Sequence, residues 1–171
     1  MHFLIFFFQV QEYILLLTDE ILKTFYIYQS AGNLTSEFNF KWFNNLLLLI
    51  VAVECTSYSS LTSGDRKTTY ITKVYQCNTN LNGWYRFQGA AGTRMPTSCP
   101  PVDRSDTFAT GWLNGGHPTV ADGKITRQAC FHWNSNCCTW STNIEVRNCG
   151  SFYVYRFSGT PTCSLRYCGS D

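Results

Sequence analysis

The sequence contains no C-x-x-C pair, no G-x-S-x-G and no H-E-x-x-H motif. The first absence argues against a zinc knuckle or a dithiol redox centre, and the other two against common serine-hydrolase and zinc-peptidase arrangements. Charge is sparse and almost balanced, with 14% charged residues and a net charge of +2. No polybasic tract points to nucleic acid. No apolar run reaches the ~18 residues of a stable membrane span. The first 54 residues have no cysteine, no proline and one glycine, Gly32, whereas all nine cysteines fall between Cys55 and Cys168.

That asymmetry divides the chain at about residue 54. Residues 1–54 carry two basic and five acidic side chains, and residues 55–171 carry eleven and six. The first part reads as leader rather than fold. Leu46–Val53 (LLLLIVAV) is an apolar run with the length of a signal-peptide core, preceded by Lys41 and ending near the small Ala52. It suggests a signal peptide starting near Phe40, with the residues before it an upstream extension. A signal over Met1–Leu17 and an internal anchor are the alternatives. Asn33-Leu34-Thr35 is the one N-x-S/T sequon, so Asn33 is the candidate glycosylation site.

From Cys55 onward the pattern has period two, and turn residues separate the runs. Thr69–Tyr75, Gly83–Phe87, Lys124–Arg127 leading into Ala129–Phe131, Asn143–Arg147 and Phe152–Phe157 read as strands. Asn114–Pro118, Ala121–Gly123 and Ser158–Pro161 read as turns. The expected fold is all-β, mainly antiparallel, loop-rich and disulfide-stabilised, over residues 55–171. Trp84, Phe87, Trp112, Phe131, Trp133, Trp140, Tyr153 and Tyr155 are the expected core. Nine cysteines among 117 residues approach the density of secreted disulfide scaffolds.

Cys137 and Cys138 are adjacent. A zinc site lacks a fourth ligand at suitable spacing, although His132 is near. A bond between neighbouring cysteines makes a strained ring. The remaining reading sends the two sulfurs to different partners.

Several segments then carry a resemblance: GWYRF at Gly83–Phe87, GAAGTRMP at Gly89–Pro96, Cys99-Pro100, GWLNG at Gly111–Gly115, His117-Pro118, RQACF at Arg127–Phe131, Cys137-Cys138, IEVRNC at Ile144–Cys149 and YVY at Tyr153–Tyr155. In this order they resemble the uromodulin-like cysteine-rich domain, the eight- or ten-cysteine domain of uromodulin and its pancreatic zymogen-granule relative. The resemblance covers about Cys55 to Cys168. It implies the pairings Cys55–Cys149, Cys77–Cys163, Cys99–Cys137 and Cys130–Cys138. Closing the Cys99–Cys137 loop stabilises by about 4 kcal/mol in the chain-entropy account. The implied partner position of Cys168 is occupied by Ser105, so Cys168 is expected to be unpaired: free and reactive, or bonded to another chain.

The resemblance implies a secreted, non-catalytic module that presents a rigid surface to an extracellular protein or glycan, with no cofactor, metal or nucleic acid. The alternative is a small secreted enzyme or enzyme inhibitor. In relatives a glycan at the W-L-N-G segment is bound by bacterial adhesins. Here Trp112-Leu113-Asn114-Gly115 is followed by Gly116 in place of Ser or Thr, so that role is not carried over. Asp171 lies three residues past Cys168, which suggests a stand-alone secreted domain or a fragment of a longer protein. No catalytic set is assembled around His117, Asp103, Asp106 or Asp122: His117 sits in a Gly-Gly-His-Pro turn. His132, between two aromatics, is expected to pack in the core. Arg86, Arg94 and Arg104 are candidates for meeting anionic groups, against the plainer reading of a solvated face.

Overall fold

The structure, a computed structural model, describes residues 52–171. Asn33 and nearly all of the leader lie outside the described residues, as do their assignments. Seven strands form one mixed sheet: β1 (Ser59–Leu61), β2 (Gly83–Phe87), β3 (Ala109–Asn114), β4 (Lys124–Trp133), β5 (Asn136–Asn148), β6 (Tyr153–Phe157) and β7 (Leu165–Tyr167). Their spatial order is β1-β2-β6-β5-β4-β3-β7. The inner pairs are antiparallel, and only the short edge strands β1 and β7 pair in parallel. The all-β expectation holds: the regular helical pieces among the described residues are three short 3-10 turns.

β4 and β5 dominate because their sequences alternate longest. They meet at Asn134-Ser135, both in the left-handed region with φ of 47° and 63°. Such a turn matches the twist of the two strands. Cys137 and Cys138 therefore come directly after the tight turn of this hairpin. Register shifts between Phe131 and Trp133, which accommodates extra residues on the β5 side.

One face of the sheet gathers Leu61, Phe87, Ala129, Phe131, Ile144, Val146, Tyr155, Phe157, Leu165 and Tyr167, all buried. Rings stack through it, with Phe157 and Tyr167 centroids 3.9 Å apart. Of the expected core, Phe87, Phe131 and Tyr155 are fully enclosed. Trp133, Trp140 and Tyr153 are half-buried and pack against this core, whereas Trp84 and Trp112 are half-buried away from it, which corrects the expectation for those two. Trp84 stands opposite Arg156 and Trp112 opposite Cys130, on the other face of the sheet. Bulk placed them in the core; parity places them outside it.

Thr69–Tyr75 is not a strand, a second correction. It makes one bridge, Ile71 to Arg104, and leaves Ile71, Val74 and Tyr75 65%, 62% and 47% exposed. Its amides turn to the Asp106 loop instead. The Asp106 Oδ1 accepts from Lys73 N and Val74 N, each at 2.9 Å, and Asp106 O accepts from Gln76 N. Alternation without a neighbouring strand has no apolar face to bury.

No helix among the described residues covers this sheet, so loops do. Arg66 donates to Asn78 Oδ1 (2.9 Å) and to Tyr167 O (3.3 Å). Arg166 pairs with Asp65 (3.0 Å) and donates to Ser105 O (2.9 Å). These arginines are buried, and burial lowers the Arg66 pKa to about 10. The domain also extends before Cys55, since Glu54 pairs with Arg147 at 3.1 Å.

Loop and strand backbones touch at glycines. A Cβ on Gly169 would lie 1.9 Å from Ala91 O, whereas one on Gly116 meets nothing within 4 Å. Gly169→Ala is expected to destabilise by about 1–3 kcal/mol through overpacking, and Gly116→Ala to stay near the parent. Urea-unfolding midpoints of the two variants check this.

Candidate functional site

The cysteines at the hairpin end build the most constrained part of the surface. Cys137 is bonded to Cys99 in the loop before β3, and Cys138 to Cys130 in the adjacent β4. The adjacent pair thus takes separate partners, one pinning a loop and one pinning a strand. Cys55–Cys149 and Cys77–Cys163 close long loops of 94 and 86 residues, which bring the segments before β2 onto the sheet. The chain-entropy account gives each long closure about 4–5 kcal/mol. Such a framework belongs to an oxidising compartment.

Cys168 is the one free cysteine among the described residues, and it is completely buried. Its thiol donates to Arg166 O at 3.2 Å. Burial pushes its pKa up to about 11, against weaker lowering by the neighbouring Ser105. Ser105 is itself buried, with φ at 57°, and its hydroxyl finds no partner of good geometry. This corrects the expectation of a reactive thiol or an interchain bond: an enclosed, protonated sulfur cannot reach a sulfur of another chain while the domain is folded.

Residues 85–169 match the family described as the uromodulin-like domain. Over 115 residues the chain is 49% identical to the pancreatic secretory granule membrane major glycoprotein GP2 of Canis lupus familiaris, covering 67% of this chain and 23% of that protein. Over 121 residues it is 46% identical to uromodulin of Mus musculus, covering 70% of this chain and 19% of that protein. Against GP2 of Homo sapiens the identity is 45% over 115 residues, 67% of this chain and 21% of that protein.

Residues 85–169 are a uromodulin-like domain.

The chain spans about a fifth of the length of the curated relatives it matches. Two of the four cross-links in this uromodulin-like domain reach back to Cys55 and Cys77, upstream of the matched residues.

The histidines of the uromodulin-like domain are structural neighbours rather than a catalytic pair. His132 is half-buried, not in the core, and its Nδ1–H donates to Pro100 O at 2.6 Å. Cys99, His132 and Cys137 place ligand atoms within 4.8 Å of one another. The two sulfurs are bonded to each other, and a disulfide is not a thiolate ligand. His117 Nε2 lies 2.7 Å from the Tyr155 hydroxyl, which also accepts from Met95 N at 2.9 Å. Burial, and then the nearby Arg94, lower the His117 pKa to about 4. The imidazole is therefore neutral, and the tyrosine O–H donates to it. Neither His117 nor His132 is hydrogen-bonded to a carboxylate of a described residue. Asp122 instead accepts from Thr119, Asp106 from the 73–74 amides, and Asp103 Oδ1 is buried without a partner.

The three candidate arginines separate. Arg86 donates to the Tyr58 hydroxyl at 2.9 Å and lies 3.9 Å over the Phe152 ring, so it is engaged. Arg104 belongs to the Asp103–Thr107 loop, through its bridge to Ile71. Arg94 is exposed, and its guanidinium makes no hydrogen bond or ion pair with a described residue. Sequence reasoning missed Asp65, Arg66, Asn78 and Arg166 altogether. Asp65-Arg66-Lys67 reads as a solvated charge run, and only its long-range partners mark it as interior.

Two outcomes follow. Native protein treated with iodoacetamide at pH 8 is expected to remain unmodified, and to take up one equivalent at Cys168 once unfolded in urea without reductant; mass spectrometry reads both. The folded His117 pKa lies below its ordinary value, so the unfolded chain binds that proton more readily. Its contribution to stability is complete above pH ~6.5 and is lost as pH falls toward 4. Unfolding midpoints of His117→Gln are expected to fall less steeply over that window than those of the parent.

Proposed function

We propose that this chain is a secreted, non-catalytic recognition module that works by holding a fixed surface. The observation that carries this reading is the cross-linked hairpin end. There Cys99–Cys137 and Cys130–Cys138 fasten a loop and two strands within a few residues of each other. A pre-ordered surface loses little conformational entropy on binding, which favours affinity without induced fit. The four disulfides, and relatives whose names include a secretory granule membrane glycoprotein, support placement outside the cytosol. The partner is an extracellular protein or glycan. His132 and His117 are bonded to a carbonyl and a tyrosine instead of to an acid, which favours the non-catalytic reading.

The test is expression of the full chain in a secretory host. The oxidised protein is expected in the medium and to bind saturably to intact cells that display their natural glycoproteins. Binding is expected to be lost after reduction and alkylation. Ester, phosphate, glycoside and peptide substrates should show no turnover. Turnover that disappears in His117→Ala or His132→Ala, or retention of the oxidised chain inside the cell, overturns the reading.

A further inference from the structure

A groove of about 500 Å³ runs beside the Cys99–Cys137 bond, between the 94–101 segment and the chain near Ser170. Its size suits one or two sugar units. The 94–101 segment crosses the edge of β3 beyond the last residue paired with β7, and it is fastened at every few residues. Arg94 N donates to Ser170 O and Ser170 N to Arg94 O, at 3.1 and 2.7 Å. Met95 N donates to the Tyr155 hydroxyl. Leu113 N donates to Pro96 O at 2.8 Å, which occupies the free edge of β3. His132 and Thr110 donate to the carbonyls of Pro100 and Pro101, at 2.6 and 2.8 Å. Cys99 closes the series with its bond to Cys137. Gly92 allows the entry: its φ is 90°, and a Cβ there would lie 2.5 Å from Ser170 O. This wall is therefore in place before any ligand arrives.

The lining is polar, and Arg94 is its exposed cation. Thr97 and Ser98 bring hydroxyls, Pro101 brings an exposed pyrrolidine face, and Arg94 brings an exposed guanidinium. The Asp171 side chain is engaged in an ion pair with Lys67. His117 adds no charge. An apolar ligand gains little in such a groove. A ligand rich in hydroxyls, with a C–H face for Pro101 and a negative charge for a bidentate contact with Arg94, fits these groups.

The geometry points to this groove as a binding site for an acidic sugar residue of a glycan, anchored by Arg94. The inference rests on the recognition reading above and names its ligand class. The acidic group has two sources, a carboxylate or a sulfate ester, and the probes separate them. Labelled oxidised protein is titrated, at low salt, with the methyl glycosides of glucuronic acid and N-acetylneuraminic acid, with galactose 3-sulfate, and with neutral methyl galactoside. Amide shifts report where each binds.

Saturable shifts confined to residues 94–101 and 117 are expected for acidic probes, weaker with added salt. Whichever acidic class binds tighter identifies the source. Arg94→Gln should weaken binding by about tenfold or more, the effect of losing one charge-assisted contact, and Arg94→Lys should lose part of that. Arg104→Gln should bind as the parent does. Arg94 is tied to the domain through its backbone, so an unchanged amide spectrum elsewhere certifies the fold of each variant. The inference is overturned if no acidic probe binds at millimolar concentration. It is equally overturned if methyl galactoside binds as well, if Arg94→Gln binds like the parent, or if an acetyl-Asp-Glu-amide peptide binds tighter than every sugar. Should the sugars fail while the oxidised chain still binds intact cells, the groove assignment falls and the recognition reading stands.

Discussion

A lone sheet has two faces and, among the described residues of this domain, no helix to cover either. Everything else in the structure answers that constraint. The second layer has to be made of irregular chain, whose amides and carbonyls need partners and whose ordering costs roughly 1–2 kcal/mol per residue. Sulfur cross-links, buried guanidinium groups and close backbone contacts at glycine supply what helical hydrogen bonds would otherwise supply. Cys99–Cys137 fastens loop to strand, Cys130–Cys138 strand to strand, and the other two bonds join connecting segments. Arg66 and Arg166 collect loop and strand carbonyls at the β7 end. Gly111 and Gly169 let backbones approach to distances that a side chain would forbid.

The same constraint explains why the exposed loops are rigid where they flank the hairpin. Three proline carbonyls between Pro96 and Pro101 accept from β3 and β4. Proline cannot donate, so a proline-rich segment leaves fewer unsatisfied amides when it lies along a sheet edge. The adjacent Cys137 and Cys138 act at the point where this segment, β4 and β5 converge. A loop held this way can present Arg94 and the neighbouring hydroxyls in one arrangement.

Cys168 and Ser105 show how a free thiol is enclosed within such a framework. The two side chains stay together in the interior, where Arg166 bonds both the Ser105 carbonyl and Asp65. Packing and the arginine hold the 103–107 loop, with three residues of that loop in the left-handed region. The thiol is inert because water does not reach it, not because it has found a sulfur partner.

Much of this was legible in the residues alone. The all-β class, the hairpin strands β4 and β5, strand β2 and strand β6 followed from alternation between turn residues. Cysteine density pointed to cross-links outside the cytosol, and the resemblance carried by GWYRF, RQACF and IEVRNC led to the uromodulin-like family. Alternation alone could not tell Thr69–Tyr75 from a strand, because that depends on a neighbour with matching register. Bulk alone could not tell Trp84 and Trp112 from core residues, because the sheet's parity decides which face each side chain takes. The tertiary structure alone decided that Cys168 is enclosed, that Arg66 is buried, and that Arg86 is engaged while Arg94 stays exposed. The burial of Arg66 depends on Tyr167, 101 residues away along the chain, and that of Cys168 on the Ser105 loop, for which local sequence has no signature.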